Sequence, residues 1–233
     1  MEYLLKSVHR RYKDELYGEF ARVGSALGNA RRLEILDLLS QRAERSVEDL
    51  ANELGTTTGN ASQHLLALLR ARLIEVRRQG TYAYYRIAGS DVADLWRKLR
   101  DVSAVRSAEI DAIAKRQIFG DDDRDDIDVA DLVSKVERGD VLLLDARPIA
   151  EYRSGHLPGA RPIEPDSLTD ELTTAAYDTE REIVVYCRGP YCVFAHKAVT
   201  VLRARGYVAH RLRLGVPEWR ALGYAVAVGD PPA

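Results

Sequence analysis

The spacing of apolar residues changes character partway along this chain. In the first half they recur with a helical period. Phe20, Val23 and Leu27 make one stripe, and Leu33, Ile35, Leu36, Leu38 and Leu39 the next, with Gly28 and Asn29 interrupting between them. Ser46, followed three positions later by Asp49, predicts the start of a short helix that carries Val47, Leu50, Ala51 and Leu54 and stops at Gly55. Residues 56–60 predict a turn, and Ala61, Leu65, Leu66, Leu68 and Leu69 a further helix. Residues 73–78 and 82–87 flank Gln79, Gly80 and Thr81 as two short strands of a hairpin. One long helix over about residues 91–118 closes this half.

In the second half short, wholly apolar runs alternate with helical segments. Val141, Leu142, Leu143 and Leu144 form one buried strand, Ile183, Val184, Val185 and Tyr186 another, and residues 208–212 a third. Between and after them lie helices at Pro148–Tyr152, 193–205 and 217–222, and Asp128 stands where it would cap a helix through Val129, Leu132 and Val133. Strand–helix alternation predicts a parallel sheet covered on both faces. The chain therefore reads as two domains, a mainly α N-terminal one and an α/β C-terminal one. The boundary is placed in the acidic run Asp121, Asp122, Asp123, Asp125 and Asp126, which gives domains 1–120 and 121–233.

Charge follows the same division. Residues 1–120 hold 20 Lys and Arg against 16 Asp and Glu, whereas residues 121–233 hold 14 against 20, so only the first half favours a polyanion. No apolar run reaches the length of a membrane span, and the first residues lack the apolar stretch of a secretory signal. Two cysteines are too few for a disulfide framework. The expectation is a cytoplasmic protein with no membrane partner.

Helix, turn, helix and hairpin in that order predict a winged helix-turn-helix, with the second helix in a major groove and the hairpin on adjacent backbone. On the helix, Asn60 and Gln63 suit adenine edges, and His64 shares their polar face. Thr57, Thr58 and Ser62 suit phosphates or base edges, and Arg77, Arg78 and Arg86 supply cations from the wing. The segments Ala26–Leu36, Ser46–Ala51, Asn60–Leu65 and Gly80–Arg86 together resemble the ArsR-type winged-helix regulators over roughly residues 15–118. That resemblance implies a homodimeric repressor that binds a double-stranded DNA operator and releases it on induction. Dimerisation is expected through residues 12–23 and the 91–118 helix. Metal-sensing members carry Cys-x-Cys where this chain has Ser46, Val47, Glu48, Asp49 and Leu50, so that thiolate site is absent. The carboxylates Asp91, Asp94, Asp101, Glu109 and Asp111 have no histidine beside them, and neither a metal nor a cofactor is expected.

The remaining chemistry is in the loop Cys187, Arg188, Gly189, Pro190, Tyr191, Cys192, which leads from the second apolar strand into the helix at Val193. Loop amides and a helix N-terminus both favour a thiolate at Cys187. Cys192 has two readings. It is either a resolving thiol that attacks a Cys187 persulfide, or a small buried residue on the first turn of the helix. His196, one turn after Cys192, would raise thiolate character there, while His156 and His210 read as structural.

The stretch Leu144–Ala160 resembles the N-terminal signature of rhodanese domains, the Cys187 loop lies where that family has its catalytic cysteine, and Gly215–Arg220 resembles its closing motif. The resemblance spans about residues 125–228. It implies a persulfide on Cys187, formed from a sulfane-sulfur donor such as thiosulfate or polysulfide. Beside Cys187, the candidate catalytic residues of the loop are Arg188, its sole cation, and Cys192, and Gly189, Pro190, Tyr191 and Val193 would line the substrate loop. Many active rhodaneses have arginine five residues after the cysteine, where this chain has Cys192. Phosphatase and arsenate-reductase loops end in an arginine at the position of Val193. Two functions remain: a DNA-binding regulator whose rhodanese module senses reactive sulfur, or a sulfurtransferase with an autoregulatory DNA-binding domain.

Overall fold

The computed structural model describes residues 2–116, 127–174, 177–178 and 181–230, the side chains from residue 9 onward. They form two compact units, Met1–Trp96 and Arg97–Ala233. The acidic run taken as the domain boundary lies outside the described residues.

In the first unit, α1 (Glu2–Leu27) ends at Gly28, and α2 (Ala30–Gln41) starts because Asn29 turns extended and its side chain accepts from the Arg32 amide at 3.2 Å. Ser46 caps α3 (Val47–Glu53) through the Asp49 amide at 3.1 Å, and Gly55, at φ +59°, ends that segment. Helix α4 (Thr58–Arg70) begins inside the turn expected over 56–60. Thr57 supplies the cap, its hydroxyl accepting from the Asn60 amide at 3.3 Å, so Thr58, Gly59 and Asn60 form the first helical turn. The hairpin is β2 (Ile74–Gln79) and β3 (Tyr82–Ile87), antiparallel about Gly80 at φ +60°. A two-residue strand, β1 (Arg45–Ser46), pairs with β3 on its other side and is too short to announce itself by periodicity. The helical stripes meet in one core of Ile35, Leu36, Leu39, Leu50, Ala61, Leu65 and Leu68, each burial contributing roughly 1.5–3 kcal/mol for the larger side chains. Leu66 points away from it and is 49% exposed.

Helix α5 (Ser90–Arg106) starts in this unit, where the Trp96 indole donates to Asp37 on α2 at 2.9 Å. The single helix expected over 91–118 is broken. Ser107 is extended (φ −122°, ψ 103°) and separates α5 from α6 (Ala108–Ala114). Its neighbour Ser103 turns its hydroxyl back onto the Leu99 carbonyl at 2.8 Å, the competition with the helix ladder that serine favours. Residues 117 and 118 lie outside the described residues.

The second unit is a parallel sheet in the order β5-β4-β6-β7, made of β4 (Val141–Asp145), β5 (Arg161–Pro162), β6 (Glu182–Tyr186) and β7 (Ala209–Arg211). Helices α7 (Val129–Arg138), α8 (Ile149–Ser154), α9 (Leu168–Thr174), α10 (Val193–Ala204) and α11 (Val216–Ala221) complete it. Asp128 caps α7 through the Asp131 amide at 2.8 Å, and Gly139 ends it in the left-handed region at φ +77°. Alternation along the strands sorts the core into two layers. Leu142, Leu144, Ile183 and Val185 pack with α9 and α10 residues such as Leu172 and Ala198, while Val141, Leu143, Val184 and Tyr186 pack with Leu132, Tyr152 and Trp219. The short elements β5 and α9 have no counterpart in the apolar pattern.

Strands β4 and β6 are locked at their C-terminal ends by polar groups with no access to water. Asp145 accepts from the Arg147 side chain at 2.9 and 2.6 Å and from the Tyr186 hydroxyl at 2.6 Å, and that hydroxyl accepts from the Leu157 amide at 3.0 Å. Arg147 also donates to the Gly155 carbonyl at 2.7 Å. Burial opposes the guanidinium charge, but Asp145 outweighs it and holds the Arg147 pKa above its ordinary value. Arg147→Met would leave the carboxylate buried and uncompensated, so the second unit should lose about 3–5 kcal/mol. Urea unfolding followed by hydrogen exchange at β4 amides checks this; unchanged protection there would refute the assignment.

Candidate sulfur loop and nucleic-acid face

The loop that joins β6 to α10 carries both cysteines. Cys187 continues the buried strand and is 1% exposed, part of the core layer that holds Leu144 and Ala195. Cys192 occupies the position before α10 in extended conformation and is partly exposed. Gly189 makes the turn between them at φ +132°, and its carbonyl accepts the Cys192 amide at 3.3 Å. The two α-carbons stand 6.3 Å apart, inside the range a disulfide spans, and the sulfurs are bonded to each other. Cys192 is not the buried residue on the first helical turn that one reading gave: it stands ahead of α10, partly exposed, packs against the core and is bonded to Cys187. Cys187 is less accessible than its chemistry suggested because strand β6 carries it into the core; of the two sulfur residues Cys192 lies nearer solvent.

The loop is held from outside by residues distant in sequence. Gly215 lies so close that a Cβ there would sit 2.8–3.0 Å from Arg188 and Cys187 main-chain atoms, and only glycine allows this approach. Its amide donates to Glu218 at 2.8 Å, which gives Glu218 a bonding role in addition to packing on α11. Arg188, the cation within the loop, turns to Glu151 on α8 and donates to it at 3.0 and 2.6 Å. Glu151 is buried, and its role is set by a partner 37 residues away, which no local pattern could indicate. Arg211 on β7 is a second cation at the loop, buried and 3.4 Å from the Pro190 carbonyl. Tyr191 and Val193 are exposed, and Pro190 is partly buried. Burial lowers the His196 pKa, with Arg211 and Arg203 acting in the same direction, so this ring is a poor source of positive charge for Cys192. His156 bonds the Tyr152 carbonyl at 2.9 Å and stacks on that ring, a structural role, and His210 lies 3.7 Å from Glu182.

On the first unit, Thr57, Thr58, Asn60 and Gln63 are exposed along the start of α4, with Ser62 and His64 partly exposed. Thr57 is committed to the cap, and the Asn60 side chain donates to Thr56 at 3.4 Å. In the hairpin Arg77 is held by Glu44 at 2.6 Å and lies over the Tyr84 ring, while Arg86 is held by Glu75 at 2.6 Å. The hydrogen bond from Arg77 holds the Glu44 carboxyl below its ordinary range. Arg78 is exposed and has no ion-pair partner among the described residues. No cluster of His, Cys, Asp or Glu suited to a metal occurs among the described residues, and no described helix is long and apolar enough to cross a membrane.

Comparison with known proteins places both units. Residues 128–222 match the rhodanese-like domain, and residues 29–76 match the arsR family of bacterial regulatory proteins. The chain is 45% identical over 219 residues to the HTH-type transcriptional regulator Rv0324 of Mycobacterium tuberculosis, which covers 94% of this chain and 95% of that one. It is 36% identical over 83 residues to the arsenical resistance operon repressor of Bacillus subtilis, covering 36% of this chain and 79% of the repressor. Among solved structures, the homodimeric winged helix-turn-helix DNA-binding domain of Mb0332 from Mycobacterium bovis is 50% identical, covers 40% of this chain and 84% of that one, and has a TM-score of 0.38. The chain belongs to the ArsR family of winged helix-turn-helix, DNA-binding transcriptional regulators and carries a rhodanese-like domain in its C-terminal part.

Proposed function

We propose that this regulator is a cytoplasmic homodimeric repressor whose rhodanese-like loop senses sulfane sulfur. The observation that carries the reading is the meeting of Cys187 and Cys192 across the turn at Gly189. The Cys187 thiolate attacks the sulfane sulfur of a polysulfide or thiosulfate. A Cys187 persulfide forms, and the shortened polysulfide or sulfite leaves with the electron pair of the broken S–S bond. The Cys192 thiolate then attacks the Cys187 sulfur and expels hydrosulfide. Two thiols are oxidised to a disulfide and one sulfane sulfur is reduced to sulfide. The N-terminus of α10, which begins at Val193, favours both anions. The sensing reading is preferred to steady sulfur transfer because Arg188 is engaged by Glu151, which leaves less positive charge for a donor's oxyanion, while a second thiol is at hand to end the cycle.

Operator recognition falls to α4 and the hairpin. Asn60 and Gln63 face base edges, Ser62 and His64 flank them, Thr57 and Thr58 lie at the helix start beside phosphates, and Arg77, Arg78 and Arg86 reach backbone from the wing. Dimerisation places two such helices at half-sites about 34 Å apart. Exposed Tyr12, Tyr17 and Phe20 on α1, and Val102 and Val105 on α5, supply apolar surface that a monomer would leave in water. The competing function, a sulfurtransferase with autoregulatory DNA binding, is favoured by the rhodanese match and requires thiocyanate formation from thiosulfate and cyanide that operator DNA does not alter.

Light scattering at micromolar concentration should give twice the chain mass; a monomer would rule out the two-half-site geometry. Arg78→Ala should reduce the salt slope of operator binding by about 1, whereas Arg77→Ala should reduce it by less because Glu44 is released at the same time. Equal slopes for the two variants would contradict the role of the ion pair. Cys187→Ser should bind operator like the wild type and lose its response to polysulfide, while intact mass should show Cys192→Ser stalled with one added sulfur. Sulfur accumulating on Cys192 in the Cys187→Ser protein would reverse the order of attack.

A further inference from the structure

We infer that the partly buried Arg100–Glu218 pair passes the state of the Cys187–Cys192 loop to α5, through the contact of Gly189 and Gly215 with Glu218. This rests on the sulfur-sensing reading and supplies its route. Gly189 lies inside the ring that the disulfide closes, since its carbonyl accepts the Cys192 amide. A Cβ on Gly189 would stand 3.4 Å from Glu218 Oε2 and 3.6 Å from Arg100 Nη1, so the main chain of the loop rests on both charged groups. Gly215 completes the arrangement from the other side. It packs against the Cys187 and Arg188 main chain and donates its amide to Glu218 Oε2 at 2.8 Å. The other carboxylate oxygen accepts from Arg100 Nη2 at 2.8 Å.

Arg100 and Glu218 side chains are 13% and 10% exposed, so water screens their attraction little, and the bond depends on geometry. Asp101, at 3.3 Å, is a second partner of Arg100. Burial raises the Tyr191 pKa, with Arg100 opposing the shift and Asp101 and Asp111 adding to it. Trp96, one helical turn before Arg100, is the residue whose indole is bonded to Asp37 on α2. Arg100 stands in the part of α5 that belongs to the second unit, so its contact with Glu218 and the loop is made within that unit. Reduction of the disulfide by a dithiol delivers two electrons and two protons, gives two thiols and removes the covalent restraint on Gly189. The loop then has a second arrangement in which Glu218 and Arg100 are differently held, the discrete alternative that coupling requires.

Hydrogen exchange of the full chain, reduced and bridged, tests this at residues 97–106. The bridge is made with diamide, which oxidises thiols without any sulfane sulfur, and is verified by intact mass, so the coupling is judged apart from sensing. Exchange in that segment should differ between the two states by roughly fivefold or more, the low end of allosteric coupling factors. Arg100→Met should form the bridge and lose the difference, and Arg100→Lys should keep part of it. Glu218→Gln, which retains an acceptor for Gly215, should lose it as Arg100→Met does. Equal exchange in the two wild-type states, or a difference that survives Arg100→Met, would overturn the coupling. If exchange at 97–106 responds while operator affinity does not respond to polysulfide, the sensing reading fails and the coupling stands; the reverse result retains sensing and removes this route.

Discussion

A guanidinium removed from water is stable only beside an opposite charge, and that requirement organises the sheet from which the sulfur loop departs. Arg147 is buried with Asp145, Tyr186 closes on the same carboxylate, and Leu157 is tied to the Tyr186 hydroxyl. These bonds join the ends of β4 and β6 and the turn after α8, so Cys187 leaves β6 from a fixed point. Arg147 Nη1 is left without a hydrogen-bond partner, and the guanidinium instead stands 5.5 Å from the Tyr186 ring centre. The pair carries a desolvation penalty and contributes position more than net stability.

Both functional regions contain cations that are already engaged. Arg188 is bonded to a buried carboxylate, and Arg77 and Arg86 to exposed or half-buried ones. In the loop this weakens the attraction of Arg188 for a free oxyanion. In the hairpin it offsets part of the positive charge of Arg77 and Arg86. The modest positive excess of the first 120 residues overstates the charge available to phosphate.

The loop also shows how glycine and carboxylate residues act together. Gly215 permits main chain to touch main chain, Gly189 makes the turn in a region closed to most side chains, and Glu218 bonds one of them while lying against the other. The consequence is a loop whose shape is set by backbone contact, with the bond between Cys187 and Cys192 lying against a packed surface.

Much of this architecture was legible in local order. Helical stripes, the caps at Asn29, Ser46 and Asp128, the glycine of the hairpin and the apolar strands depend on neighbours a few residues apart, and the ordered motifs marked the winged helix and the rhodanese-like sheet. The break at Ser107, the earlier start of α4, and the short β1 and β5 were not, because each is decided by one hydrogen bond or by a partner strand. Sequence alone determined where the thiols and the polar groups stand in the chain: two cysteines five positions apart in one loop, and polar side chains at the start of α4. Only the tertiary structure decided their condition. Cys187 is buried, Arg188 faces Glu151, Arg77 faces Glu44 and Glu218 holds Arg100, because charge pairing and burial act through space between residues that the chain brings together only when it folds.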